Sequence, residues 1–567
     1  MLAMDATRET ILWTAGFFNE RFSEPVSPLG WSLIGPLVEE LALREPLQYL
    51  GYPKTKEIRI TRLWHGHPYT NVAVFQILYK IFPDWLLPED TYRYFPEGRV
   101  QLRKEAAYPS SALSPRLLFS LTRAFFSDPR DVSPFHNYRK WAGYTVVHDR
   151  RVREMGTRVQ GLEQSGAAAR DILEGLKEVE SIHRDLLRIH RWSLTHADIL
   201  FGLLKRLARN WVDREHADEI AAEWIANVSD KTMQVDAALN RMAERLALEP
   251  EMQDAIQTAD SYPELVHLLE GKGGGPEFLG LLQQFLAEHG HRSFSLDIAV
   301  PTFADDPTQV LRLLQGMSAA GRNGMARNTR TALAAHPLPP VRRGLLAIVR
   351  SLALKYVALR EDQRYYWQKS LAISRRLYLV LAERLLAEGA ITRREDVFYA
   401  THQELEEHCG SRMARETLGR QITLRRSEWE SYWSEFKRSP DLSYPAFLRG
   451  DEPIVVAPVQ QQVWYARAVS PGTARGVVRI CRSANDLMHV RHGEILVAPS
   501  TDPAWTPVFA RIAGLVLERG GVLSHGAVVA REYGVPAVVG ATSIANQVRD
   551  GETIEVDGNL GRIARIA

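Results

Sequence analysis

The chain has 567 residues, with 70 Lys and Arg against 68 Asp and Glu and a net charge of +2; it is too long for a single small binding module, and that balance gives no electrostatic pull toward nucleic acid or an anionic membrane. Hydrophobic residues make up 45% and charged residues 24%, which excludes global disorder and suffices to bury substantial cores. The two cysteines, Cys409 and Cys481, lie far apart, which excludes a disulfide scaffold or a thiolate-rich metal site and suits a reducing compartment.

The opening MLAMDATRETILWTAGFFNERF has acidic residues within its first ten and no basic segment before an apolar run. No charge-free apolar run of about 18 residues occurs elsewhere, so a cytoplasmic protein is expected, neither secreted nor membrane-spanning. Phe22, Pro25, Pro28 and Trp31 suit an apolar acceptor pocket or ordinary core. LWHGHPYTN, Leu63 to Asn71, reads equally as a turn beside a pocket or a surface turn. From Ala106 to Trp141 come short apolar segments broken by Pro. Ala167 to Leu207 then repeats apolar residues every three or four positions, predicting one long helix or two. GKGGGP, Gly271 to Pro276, is the only Gly-rich nucleotide-site candidate upstream, and its helical flanks make it a helix–helix linker. His289 and His291 in EHGHRS have the wrong spacing for a helical metal pair, so no metal is assigned, and Arg292 is a candidate contact for phosphate or acceptor. A further helical block runs from Arg342 to Ala387, with Leu345, Val349, Leu352, Tyr356 and Leu359 on one face. Two prolines and a glutamine run make 451–463 a connector.

Beyond it the apolar segments shorten and become β-branched: GVVRICR, GEILVAP, AGLVLER, PAVVG, ETIEVDG and GRIARI predict strands between glycine turns. Among them HGAVVAREY, after Ser524, predicts a helix that Gly534 and Val535-Pro536 stop. Gly520 and Gly521 allow a tight turn, and Ser524 is placed to cap the helix. His525 then projects beside helix N–H groups that have no intrahelical partner, where a phosphate is favoured. A largely neutral imidazole at that point is a competent nucleophile. A lone histidine in such a turn reads as easily as part of the cap.

The context of His525 resembles the phosphohistidine swivelling domain of PEP-utilising enzymes: Gly520, Gly521, Ser524, His525, Gly526, Val528, Val529, Ala530 and Arg531 stand in its motif. SPGTARGVV, GEILVAPSTDPAWTP, AREYGVPAVVG and DGETIEVDG follow that domain's order, and the resemblance covers 464–567. Gly526 replaces the Ala of many members, as in the rifampin phosphotransferase branch. The resemblance implies His525 as the phosphorylated residue, with Ser524, Gly526 and Thr501 at its phosphate. The PEP/pyruvate barrel of PEP synthase has no room after His525, so PEP and pyruvate are not expected substrates. No GxxxxGK[ST] is present upstream, and the ATP-grasp module that charges the histidine is expected on a separate partner, which would hold ATP and Mg2+.

Upstream, NERFSEPVSPLGWSL, EHGHRSFSLDIAVPTFADDP, REDQRYYWQK and REDVFYAT resemble the acceptor-binding domain of rifampin phosphotransferases and of phenylphosphate-synthase-like large subunits. There an Arg and a Lys one turn apart meet the travelling phosphoryl group, and Arg360 and Arg364 take those positions. Two cations at i and i+4 repel mildly and make sense facing an anion; two solvated arginines beside Glu361 and Asp362 are the other reading. The expected architecture is therefore multidomain: a mainly α-helical acceptor-binding domain (1–450), a linker (451–463) and a small β/α phosphohistidine swivelling domain (464–567). The expected activity is a dikinase-like phosphotransferase acting on a phenol or other aromatic alcohol. A rifamycin-type antibiotic and a non-enzymatic phosphocarrier or regulatory role are the alternatives.

Overall fold

The computed structural model describes residues 11–566 apart from short stretches, the longest being 50–57, 80–86, 103–118, 120–132, 320–337 and 455–461. Most of the Pro-broken segment Ala106 to Trp141 and the middle of the connector 451–463 therefore lie outside the described residues. A mainly helical region is followed by a β-rich one that begins at Val463. Among the described residues no helix is long and apolar enough to cross a membrane. Two compact units form, each from separate stretches of chain: Met1–Leu203, Leu296–Ala299 and Tyr366–Val456 in one, Leu204–Ser295, Val300–Tyr365 and Ala457–Ala567 in the other.

The first unit holds a five-stranded sheet of β1 (Leu12–Thr14), β2 (Thr61–Trp64), β3 (His67–Asn71), β4 (Phe447–Arg449) and β5 (Glu452–Pro453), in the order β2-β3-β1-β4-β5. His65 and Gly66 link β2 to β3 with φ of 47° and 75°, the two left-handed residues that a tight hairpin turn requires. LWHGHPYTN is thus a hairpin, with His65 Nδ1 held 2.9 Å from Glu435. Ser27 starts the helix Pro28–Leu37 by accepting from Gly30 N at 3.0 Å, with Pro28 in its first turn. Phe22 and Trp31 pack on each other and on Phe18, with ring centroids 5.4–6.5 Å apart. Asp297 binds the same helix start from far along the chain: Ser27 N and Oγ each donate to it at 2.6 Å, and Ala299 N at 3.0 Å. Two of the resembling segments, SEPVSPLGWSL and SLDIAVP, meet at this carboxylate.

Helices Pro134–Ser165 and Ala169–His190 turn about Gly166 in the left-handed conformation and run antiparallel, as Asn137 Nδ2 donating to Ile189 O and Arg158 pairing with Glu174 and Glu178 demonstrate. The stretch Ala167 to Leu207 is therefore two helices, the second beginning at Ser193. Within this unit His183 lies between Ser370 and Ser374 at 3.1 and 3.0 Å, and buried His148 packs against Tyr144 and Tyr366. Burial pushes the His148 imidazolium down to about 4, and burial together with His148 pushes His183 down to about 3. Both values lie below the ordinary 6.5, so the stability tied to these neutral rings is complete above about pH 6.5 and is lost as pH falls from there toward 3, at up to about 1.4 kcal/mol per pH unit for each ring. Denaturant melts between pH 7.5 and 4.5 should show this acid loss. His148→Phe, which keeps the aromatic packing without the titration, should remove its share and leave that of His183; an unchanged slope would assign the loss to other groups.

The second unit joins helices between 204 and 365 to an eight-stranded sheet. Its strands are β6 (Val463–Tyr465), β7 (Arg467–Ser470), β8 (Thr473–Ile480), β9 (Ile495–Ala498), β10 (Gly514–Leu517), β11 (Ala537–Val539), β12 (Thr553–Asp557) and β13 (Arg562–Arg565), ordered β6-β13-β12-β8-β9-β10-β11-β7. The neighbours from β8 to β11 are parallel and the flanking pairs antiparallel. β9 and β10 are buried along their whole length, as parallel strands covered on both faces must be, which is why their sequences are unbroken apolar runs. GKGGGP joins helices Tyr262–Glu270 and Gly275–His289, with Gly274 at φ 76°. The helical block extends over Pro340–Ala387. One expected inward residue there is not inward: Leu345 is exposed while its neighbour Leu346 is buried, because the stripe that packs in these first turns runs through Leu346, Val349 and Ala353.

Candidate active site

The turn after β10 is built around glycine. Gly520 has φ 116°, and a Cβ there would stand 2.8 Å from Ser524 Oγ. Ser524 occupies the residue before the helix His525–Tyr533, with extended φ and ψ, but it does not cap the helix. Its hydroxyl is turned back to the preceding turn, donating to Gly521 O at 2.8 Å. The cap expected of Ser524 from the sequence is therefore not made. Arg531 of the motif closes the base of the turn, donating to Val469 O at 3.1 Å and Val522 O at 2.8 Å. Its burial lowers the guanidinium to about 10. Gly534 then ends the helix at φ 65°.

His525 is 9% exposed. Its Nε2 lies 3.2 Å from Thr506 Oγ1, its Nδ1 3.4 Å from Glu361 Oε2, and the Phe509 ring meets it edge-on. A carboxylate only accepts, so the contact with Glu361 places the imidazole proton on Nδ1 and makes Nε2 the acceptor, facing the Thr506 hydroxyl that a phosphoryl group on Nε2 would displace. Burial lowers the imidazolium's pKa, Glu361 raises it in part, and Arg364 and Arg292 push it down again. The ring is thereby neutral and nucleophilic at neutral pH.

Glu361, 7% exposed, belongs to the long helix between Arg360 and Arg364. Burial would raise its carboxyl, yet the hydrogen bond of His525, then Arg360 and Arg364, bring it below the ordinary value. Arg292 is 1% exposed and lies in the fields of Glu361, Asp236 and Asp230 as well as over the Tyr365 ring. His289 Nδ1 meets Tyr365 OH at 3.3 Å and the His291 ring meets Tyr365 edge-on, so EHGHRS packs about a tyrosine. Among the described residues no group of three or more His, Cys, Asp or Glu side chains suits a metal ion. Thr501 is 7% exposed, and its Oγ1 has no hydrogen-bond partner among the described residues.

One packing unit therefore brings together His525, Arg360, Arg364, Arg292, Ser524, Gly526 and Thr501. Glu361 was not among the candidates. Its charge on a helix flanked by arginines read as solvated surface, and only its burial opposite a distant histidine gives it a role.

Gly526 has a steric reason to lack the alanine methyl of many similar domains. A Cβ there would lie 2.6 Å from both Thr501 Oγ1 and Leu517 Cδ1. Gly526→Ala should cost about 1–3 kcal/mol by overpacking and misplace the first helical turn. In thermal melts, Thr501→Ala combined with it should recover part of the loss; no recovery would remove Thr501 as the obstacle.

Residues 490–561 match the family described as PEP-utilising enzyme, mobile domain, and residues 190–361 match the one described as rifampicin phosphotransferase fourth domain. The chain is 27% identical over 430 residues to the uncharacterized phosphotransferase YvkC of Bacillus subtilis strain 168, covering 72% of this chain and 50% of that protein. It is 30% identical over 373 residues to a rifampicin phosphotransferase of Streptomyces sp, covering 60% of this chain and 42% of that protein. It is also 32% identical over 367 residues to chondramide synthase cmdD of Chondromyces crocatus, covering 59% of this chain and 9% of that protein. The match thus spans half or less of each of these relatives. The two matched windows contain His525, Thr506 and Thr501 on one side and Glu361, Arg360 and Arg292 on the other.

Proposed function

We propose, for a chain that carries the mobile domain of PEP-utilising enzymes and resembles the rifampicin phosphotransferases, that His525 accepts a phosphoryl group and hands it to a hydroxyl held beside Arg360 and Arg364. The observation that carries this reading is the neutral His525 ring, at a helix start that Ser524 does not cap, aligned by Glu361 between two arginines. In the charging step ATP, water and His525 yield phosphohistidine, AMP and inorganic phosphate, with a separate ATP-grasp partner supplying the nucleotide and Mg2+ site. The phosphorylated nitrogen is Nε2, since Nδ1 holds the proton toward Glu361. In the delivery step the Nε2–P bond breaks as the acceptor O–P bond forms, the acceptor proton passes to solvent or base, and the imidazole leaves neutral. Arg360 and Arg364 spread the charge of the three phosphoryl oxygens during that transfer, and Arg292 adds a third cation behind them. The domains run 1–450 for acceptor binding and 464–567 for the phosphohistidine, which swings on 451–463.

The acceptor is a phenol or other aromatic alcohol, because a high-energy phosphoramidate can drive transfer to a weak nucleophile. A rifamycin-type acceptor is the second reading, favoured by the rifampicin phosphotransferases among the relatives. A phosphocarrier role with a protein acceptor is the third. The test is intact-mass and radiolabel analysis after incubation with ATP labelled at the β or γ position, with and without an ATP-grasp protein. Partner-dependent label from the β position, acid-labile and base-stable at His525, is the expected result; no adduct in either arm would end this reading. Arg360→Ala should leave charging intact and slow delivery by about 10²–10³-fold, whereas an unaltered delivery rate would return Arg360 to a solvated surface.

A further inference from the structure

We infer that Glu361 makes the phosphorylated His525 ready to release its phosphoryl group: once Nε2 is phosphorylated, docking against Glu361 takes up one proton, held between the ring's Nδ1 and the carboxylate. The inference rests on the reading above, in which His525 is charged away from this site and returns to it. His525 Nδ1 and Glu361 Oε2 stand 3.4 Å apart, and the two residues are 9% and 7% exposed. In the resting ring the Nδ1 proton serves that contact. A phosphoryl group on Nε2 takes the place of the Thr506 hydroxyl and leaves Nδ1 as the nitrogen that titrates.

A phosphorylated ring in water loses its Nδ1 proton near the ordinary imidazole value, about 6.5, so above that pH it travels with a bare lone pair. Docked, that lone pair would face a carboxylate oxygen. Two buried acceptors with no hydrogen between them are an arrangement a folded site does not sustain, so one proton enters the contact. The charges around the pair are Arg364 and Arg292 beside His525, Arg360 and Arg364 beside Glu361, and the acids Asp230 and Asp362 near Glu361. In the resting site Arg364 and Arg292 oppose a second proton on the ring; in the charged site the negative phosphoryl oxygens offset them. As the acceptor O–P bond forms and the Nε2–P bond breaks, the electron pair of the broken bond stays on Nε2. With Nδ1 protonated the ring leaves as neutral imidazole and Glu361 is again a carboxylate, the arrangement of the resting site; without that proton the leaving group is an imidazolate anion, a far stronger base. The acceptor's own proton passes to solvent and balances the one taken up. Glu361 acts through His525 and is a positioning residue: the phosphoryl group is kept in transit and released where the carboxylate meets Nδ1. Because the docked value is the raised one, the proton's help to docking is complete below about pH 6.5 and is lost as pH rises through the docked value.

The test is a phosphorus NMR titration, from about pH 6 to about pH 9, of the full chain charged at His525 by the ATP-grasp protein and freed of nucleotide. The phosphohistidine resonance moves as Nδ1 titrates, and the same charged chain unfolded in urea gives the reference midpoint. The folded wild type should titrate at least about one pH unit above that reference, the smaller end of the shift an adjacent opposite charge produces. Glu361→Gln, whose amide can donate to a bare Nδ1, should return the midpoint to the reference or below it, and Glu361→Asp, which keeps the carboxylate, should keep part of the rise. A wild-type midpoint no higher than the reference, or a rise that Glu361→Gln leaves intact, overturns the role of Glu361; the comparison of the wild type with its own unfolded state holds even where the glutamine chain fails to fold. The same spectra separate the two ideas: a phosphohistidine resonance that titrates like the reference removes the role of Glu361 alone, and no such resonance removes the carrier reading together with it.

Discussion

Replacing His525 by alanine should reduce phosphoryl delivery to background, a loss of more than about a thousandfold, because the imidazole is the group that takes and carries the phosphoryl in the proposed mechanism. The fold should survive. His525 is the first helical residue, where alanine is well tolerated, and the turn before it is held by Gly520, Ser524 and Arg531 without help from the imidazole. The cost should fall on Glu361, which loses its hydrogen bond but keeps Arg360, Arg364 and Arg292 as counter-charges, so the thermal midpoint should drop by a few degrees at most. His525→Asn, which retains a polar side chain opposite Glu361, gives the same test without exposing that carboxylate to an apolar neighbour. Label from ATP appearing on the alanine or asparagine chain would remove His525 from the mechanism. A folded, unlabelled chain that still binds the partner would leave it as the carrier.

The β-rich tail was legible because its signals are local. Parallel strands buried on both faces read as short apolar runs, glycine turns separate them, and a helix between Ser524 and Gly534 is bounded by residues whose backbone preferences are strong. The long helix was legible as a helix, but its faces were not. Leu345 points outward and Glu361 inward because burial is decided by tertiary neighbours, such as His525 opposite Glu361, which periodicity cannot register. Ser524 shows the same limit at smaller scale. A serine before a helix predicts a cap, yet a turn carbonyl three residues back competes for its hydroxyl and takes it. Arg292 was singled out only by its setting in EHGHRS, and its surroundings of Asp230, Asp236 and Glu361 come from two other helices. Asp236 carried no signal at all in the sequence, since an acid on an amphipathic helix ordinarily faces water.

Asp297→Asn should destabilise the first unit by about 2–4 kcal/mol. The carboxylate receives Ser27 N on one oxygen, Ser27 Oγ and Ala299 N on the other, and it is buried. Burial lifts its carboxyl above the ordinary value, while the Ser27 and Ala299 donors and Arg375 oppose that rise without cancelling it. An asparagine amide offers one acceptor oxygen and one NH2 group in the same outline. Whichever way it turns, the NH2 faces a donor, so at least one buried N–H or hydroxyl is left unsatisfied beside a second donor. The backbone has no room to adjust, because a Cβ on Gly30 would already lie 2.2 Å from Asp297 Oδ1. Ser27 also begins the helix Pro28–Leu37, so the loss spreads to its first turn. Denaturant unfolding at neutral pH measures the effect. A change below about 0.5 kcal/mol, the range of an ordinary surface substitution, would mean that the Ser27–Asp297 contact is not what joins these two segments, and Ser27→Ala should then be equally silent.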